Sequence, residues 1–236
     1  MLNFKEKNKV YITSDTHFHH NRDFVWKSRG FSSVIEHDNA LISKINERVK
    51  CDDILIHLGD FCLNTNASQF EELLTRINCQ NIYMLFGNHP NPHYKNVYKP
   101  LVKSLLKSEY TDDSEMYPLR YRNVVYIGHY AEVVIGGQFI VLSHYPIYVW
   151  NEMQHGAWML CGHSHGGCPF SCPDNINNKI LDCGWDLHKT PLSFGELQEI
   201  MDKKGFVAMD NHHLPSISPS NPLVMTGLSG AKLSAS

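Results

Sequence analysis

Five short stretches of this chain carry residue types that bind transition metals: Asp15-Thr16-His17, Gly59-Asp60, Gly87-Asn88-His89, Ser143-His144 and Gly162-His163-Ser164-His165. Each follows an apolar, β-rich run. In parallel α/β folds the C-terminal ends of strands meet at one crevice, so residues far apart in sequence can converge there. Histidine and carboxylate together suit Mn, Fe, Zn or Ni rather than Ca or Mg. Two such ions about 4 Å apart serve one demanding reaction, the delivery of an anionic nucleophile onto an anionic phosphorus centre. They clamp the phosphoryl oxygens and make hydroxide available near neutral pH. Such a pair needs a carboxylate to bridge it. Singly the stretches say little, because Asp-x-His is frequent by chance and Gly-Asp after a strand is commonly a turn. A His-x-His directly after a strand is less ordinary, and order, strand-end placement and spacing together carry the reading.

The elements that must position these residues are legible as periodic runs. Val10 to Ser14, Ile54 to Leu58 and Ile82 to Phe86 read as buried strands. Between them, Leu41, Ile45 and Val49 mark an amphipathic helix over Val34 to Lys50, and Phe70, Leu73, Leu74 and Ile77 mark a second, with Ser68 as its N-cap. This β-α-β-α-β order predicts parallel strands. The second half is β-rich. Val124 to Ile127, Ala131 to Ile135, Gln138 to Leu142, Trp158 to Cys161 and Lys179 to Asp182 read as strands, with Gly136-Gly137 as a hairpin turn. Phe194, Leu197, Ile200 and Met201 mark a last helix. No linker divides the halves, so they are expected to share one core. From about Asn211 the chain is Ser-, Pro- and Gly-rich, which predicts a domain over 1–210 and a poorly ordered tail over 211–236.

Composition is globular, with 42% apolar and 19% charged residues among 236. A net charge of -3 does not advertise a polyanion binder. No apolar run approaches the roughly 18 residues needed to span a bilayer, and Met1 to Val10 is too polar for a signal peptide. Seven cysteines without repeated spacing read as reduced thiols of a cytoplasmic protein.

The five stretches, with Ser14-Asp15-Thr16-His17-Phe18 and His144-Tyr145-Pro146, resemble the sequence blocks of calcineurin-like metallophosphoesterases, in the family's order, over about Val10 to Lys203. They look most like its small bacterial and phage members. The resemblance implies a single α/β domain, a four-layer α/β/β/α sandwich, and hydrolysis of a small-molecule phosphate ester, a nucleotide among the candidates, by hydroxide held between two divalent metals. Manganese is the first expectation, with iron, zinc or nickel as alternatives. By position, Asp15, His17 and His165 would hold one metal, Asn88, His144 and His163 the other, and Asp60 would bridge them. His89 would protonate the leaving oxygen. The family's third block usually continues from His to an acidic residue; here Pro90 follows, so His89 lacks a carboxylate that could orient it.

Other residues carry weaker signals. His19 and His20 read as loop histidines, or as contacts to substrate phosphate. Arg22 and Arg29 suit phosphate clamps or plain surface charge. Lys95, Lys99, Lys103 and Lys107 suit a solvated helix face better than a nucleic-acid track, which leaves a nuclease or end-processing enzyme as the alternative. A non-catalytic protein-binding module would be expected to lack ligands, and none is missing. Cys168 and Cys172 read as loop cysteines. Tyr145, Tyr148, Trp150 and Trp158 either shape a substrate pocket or pack beneath a loop. The stretches 91–121 and 145–158 are expected to set specificity. Neither ester type nor oligomeric state can be read.

Overall fold

The computed structural model describes residues 1–89 and 119–205. Pro90, the lysines of 95–107, most of the 91–121 stretch and the 211–236 tail lie outside the described residues. Two sheets face each other. One has six strands: β2 (Val10–Thr13), β3 (Ile54–His57), β4 (Asn81–Met84) and β6 (Val124–Tyr126) run parallel at its centre. β11 (Leu192–Ser193) and β5 (Leu119–Tyr121) close its edges antiparallel. The other has five strands in the order β1 (Leu2–Phe4), β7 (Tyr130–Ile135), β8 (Gln138–Ser143), β9 (Trp158–Cys161) and β10 (Ile180–Asp182). Of these, β7 and β8 form the hairpin, and Gly136 and Gly137 supply the two positive φ angles its two-residue turn requires. The α/β half and the β-rich half are thus interleaved. The N-terminal β1 crosses to the five-stranded sheet, and β6 of the second half extends the parallel sheet beside β4.

Strand alternation divides the core into layers. Val10, Ile12, Ile56, Leu58, Val125 and Ile127 point from the six-stranded sheet at Ile140, Leu142, Trp158, Leu160 and Leu181 of the other. The alternate residues point outward. Leu55, Ile82, Met84 and Val124 meet α2 (Val34–Arg48) and α3 (Ala67–Arg76) through Leu41, Ile45, Phe70 and Leu73. Val141, Met159, Cys161 and Ile180 meet Trp150, Met153 and Ala157, so one short 3-10 turn at Met153–His155 caps that outer face. Each buried aliphatic chain of this kind stabilises the fold by about 1.5–3 kcal/mol through area removed from water. Trp150 and Trp158 are therefore core residues rather than pocket walls. A last helix, α5 (Phe194–Asp202), closes the sandwich, with Phe194 stacked on Trp158 at 5.5 Å.

Helix ends follow local chemistry. Ser33 caps α2 by accepting from the N–H of Glu36. The cap of α3 is Asn66 and not Ser68, because Asn66 and Gln69 satisfy each other's backbone N–H in a capping box. Two short helices carried no readable period: α1 (Asp23–Ser28) and α4 (Trp185–His188). All seven cysteines are free thiols. No described helix is long and apolar enough to cross a membrane.

Candidate metal centre

The ends of β2, β3, β4, β8 and β9 open on one side of the sandwich, and the eight candidate residues follow them directly. The loops there are tied to one another by backbone hydrogen bonds: Asp15 N–H donates to Gly59, His17 N–H to Asp60, and Gly162 N–H to His144. Five of the eight residues (Asp15, His17, Asp60, His163 and His165) have positive φ angles of 48–68°, unusual for side-chain-bearing residues, which turns each side chain back over the strand ends. Two glycines make this crowding possible. A Cβ on Gly87 would lie 2.0 Å from Asp60 Oδ1, and one on Gly162 would lie 2.4 Å from Asp15 Oδ2.

Two groups of ligand atoms result. Asp15, His17 and His165 form one, with His17 Nε2 and His165 Nε2 3.3 Å apart and 3.7 and 3.8 Å from Asp15 Oδ1. Asp15, Asp60 and His144 form the other, with His144 Nε2 3.5 Å from Asp60 Oδ2. Asn88 joins this second group, its Oδ1 lying 2.8 Å from His144 Nε2 and 2.9 Å from His163 Nδ1. Asp60 stands between the groups, because its Oδ2 is also 3.9 Å from His17 Nε2. His89 N–H donates to Asp60 Oδ1, and its ring, 39% exposed, sits with Nε2 4.0 Å from Asp60 Oδ2.

The arrangement fits a cation. Asp15 is wholly buried; its Oδ2 accepts from the N–H of His163, while its Oδ1 has no hydrogen-bond donor. His144 Nδ1–H donates to the Leu58 carbonyl at 3.0 Å, which leaves the Nε2 lone pair facing the oxygens of Asp60 and Asn88. Lone pairs gathered around one point repel unless a proton or a metal lies among them. The titration directions agree. Burial raises the pKa of Asp15. Burial alone would lower His144, but its hydrogen bond to Asp60 and the charges of Asp15 and Asp60 raise it. Burial opposes ionisation of Asp60 too, yet His144 and the His89 N–H hold it at about 2. His17, pushed to about 2 chiefly by burial, is a neutral nitrogen donor.

Behind the ligands runs a network that the sequence reading did not find. His165 Nδ1 meets Asp186 Oδ2 at 2.5 Å, and that carboxylate accepts two bonds from Arg29, Nε at 2.9 Å and Nη2 at 2.7 Å. Arg29 also donates to the carbonyls of Asp15 and Thr16 and to His37 Nε2. His37 Nδ1–H then donates to Asp38 Oδ1, and Asp38 Oδ2 accepts from the N–H of His19. Arg29 is thus neither a phosphate clamp nor surface charge: its side chain is 1% exposed and braces the first ligand loop. Arg22 is exposed, and His19 turns to Asp38. Two further buried groups hold neighbouring loops. Asp182 accepts from Ser164 Oγ–H and Gly166 N–H in the His-x-His loop. His57, kept neutral by burial at about 3, donates to Thr16 Oγ. Tyr145 packs edge-on against His163 at 4.5 Å and stays half exposed, with Tyr148 beyond it on Phe170. Cys172 only donates to loop carbonyls.

Known proteins share the family pattern and the fold. A family model described as calcineurin-like phosphoesterase matches residues 8–167. An uncharacterized protein of Methanocaldococcus jannaschii is 40% identical over 82 residues, which are 34% of this chain; the match spans just under half (46%) of that relative's length. The crystal structure of a protein of unknown function from Aquifex aeolicus shares the fold, with a TM-score of 0.54 over 81% of this chain and 98% of that one, at 20% identity.

Two outcomes follow from the geometry. Asp186→Asn removes the carboxylate that orients His165, and metal affinity measured against a competing chelator is expected to fall about 10–100-fold; unchanged affinity would contradict the role. In metal-free protein, protonated His144 and His165, whose pKa values are raised, stabilise the fold at low pH, and that stability is lost as pH rises through the raised values. Metal needs the unprotonated rings. Adding Mn²⁺ to chelator-treated protein should therefore raise Tm more at about pH 8 than at about pH 5.5, and equal rises would count against it.

Proposed function

The chain belongs to the calcineurin-like phosphoesterase family, and from that premise we propose that it is a hydrolase of a small-molecule phosphate ester that works with two divalent metals. The observation that carries the reading is the pair of ligand groups sharing Asp15 and flanking Asp60. Asp15, His17 and His165 would hold one ion, and Asn88, His144 and His163 the other, with Asp60 between them. Manganese is the first candidate on donor chemistry, and iron, zinc and nickel accept the same set. When bound, the metals would supply positive charge against the phosphoryl oxygens and hydroxide near neutral pH.

The chain's own groups complete the reaction. Water oxygen bonds to phosphorus as the phosphorus–alcohol oxygen bond breaks, and the departing oxygen takes a proton. His89 is placed for that transfer, with its backbone N–H fixed by Asp60 and its ring open to the cleft. Asp60 is the one carboxylate within 4.0 Å of that ring among the described residues. Asp186 and Arg29 keep the His165 ring turned inward. The nucleic-acid alternative rests on Lys95 to Lys107, outside the described residues, and gains no support among the described ones. A cytoplasmic setting is consistent with the free thiols.

The test is hydrolysis of paired chromogenic monoester and diester substrates by metal-stripped protein before and after adding Mn²⁺. Activity should return with metal, fall below detection in Asp60→Asn, and drop in kcat by about 10²–10⁴ in His89→Ala with little change in KM. Full turnover by Asp60→Asn, or by exhaustively stripped protein, would overturn the reading.

A further inference from the structure

A cleft of about 550 Å³ starts at the rings of His17, His165 and His89 and runs outward between α1 and Lys189, the residue that ends α4. That volume suits a ligand of nucleotide size. Its floor is committed already, since Arg29 and Asp186 bind each other. Its walls are not. Phe24 stands 65% exposed on α1 and turns an aromatic face to the cleft. Val25 lies beside it, and the His20 ring meets Phe24 edge-on at 5.4 Å. His20 is 5% exposed, and its Nδ1 accepts from the N–H of Arg22, so its proton sits on Nε2, which has no protein partner among the described residues. At the outer end, Lys189 is exposed and held in the left-handed region by its N–H bond to Trp185, and its ammonium has no ion pair among the described residues.

A donating imidazole beside His17, at 5.6 Å between ring centroids, an aromatic wall next to it and a free cation make a graded site. We infer that this cleft receives the alcohol part of the substrate, and that it selects a nucleotide-sized phosphate ester bearing a ring and a second anionic group. The inference rests on the phosphoesterase reading. His89 lines the inner end of the cleft, so the bond that breaks faces it, and the departing alcohol lies along the cleft. The ring packs on Phe24 and Val25 within reach of His20 Nε2–H, and the second anion meets Lys189 at the mouth. His20 is thereby a substrate contact rather than an idle loop histidine.

The experiment is calorimetric binding of adenosine 3′,5′-bisphosphate to the Mn²⁺-loaded full chain, with turnover of the same compound, 4-nitrophenyl phosphate and glycerol 2-phosphate measured alongside. Lys189→Ala is expected to weaken bisphosphate binding about threefold to fivefold, as for a rim ion pair. Phe24→Ala is expected to weaken it at least about fivefold, as for loss of a stacking surface. Lys189→Arg and the control Lys203→Ala should bind like wild type, and thermal unfolding checks that each variant is folded. Wild-type preference should run from bisphosphate through 4-nitrophenyl phosphate to glycerol 2-phosphate. No bisphosphate binding by wild type, or equal affinity in wild type, Lys189→Ala and Phe24→Ala, overturns the inference. Variant-sensitive binding without hydrolysis of any ester leaves the cleft site standing and overturns the phosphoesterase reading instead.

Discussion

A carboxylate cannot lie fully buried with an oxygen lacking a donor unless positive charge reaches it, and Asp15 is in that position. Around it the chain has gathered further lone pairs rather than donors. His17 and His165 aim their Nε2 atoms at its free oxygen, and the neighbouring Asp60, Asn88 and His144 do the same to one another. Metal-free, such a cluster holds together only through partial protonation: the Asp186 hydrogen bond, with the charge of Asp15, raises the pKa of His165, and although burial lowers His144, its Asp60 hydrogen bond and the charges of Asp15 and Asp60 raise it. The two sheets, the braced loops and the glycine contacts are all conditions for keeping those atoms close.

Keeping them close is a backbone problem before it is a side-chain problem. Strand ends bring five loops to one edge, but an extended exit would point the ligands outward. The positive φ angles at Asp15, His17, Asp60, His163 and His165 fold them inward, at a cost of about 1–3 kcal/mol each for a strained residue. That strain persists because the surroundings fix it. Arg29 holds the carbonyls of Asp15 and Thr16, Asp182 holds the His-x-His loop, and Thr16 and His57 join the first loop to the second. The site sits on packed elements with buried braces, so its geometry is set before any ligand arrives.

What could be read from sequence follows from the range of each interaction. Parallel strands and the two long helices were legible because burial on one face imposes a period of two or near four residues on runs such as Ile54 to Leu58 and Leu41 to Val49. The metal-ligating types were legible because polar residues such as Asp60 and His144 stand at the ends of apolar runs. The roles of Asp186, Arg29 and Asp38 were not, because their partners stand at separations that follow no pattern: 157 residues between Arg29 and Asp186, 21 between His165 and Asp186, and 19 between His19 and Asp38. A Gly-Trp-Asp after the strand that ends at Asp182 was the available signal for Asp186. The helices α1 and α4 span 6 and 4 residues, too few for a period to show, yet they carry Phe24 and end at Lys189, the two ends of the cleft wall. Strand exchange between the halves was hidden for the same reason: three residues, Leu2–Phe4, find their place only through pairing with Val133–Ile135.

The most direct measurement is elemental analysis of metal per chain in protein purified without chelator, for wild type and for His165→Ala and Asn88→Ala, one residue from each proposed group. About two equivalents of transition metal in wild type, and about one in each variant, is the result expected of a pair held on shared Asp15 and Asp60. A single equivalent in wild type that both variants retain would contradict the two-metal centre.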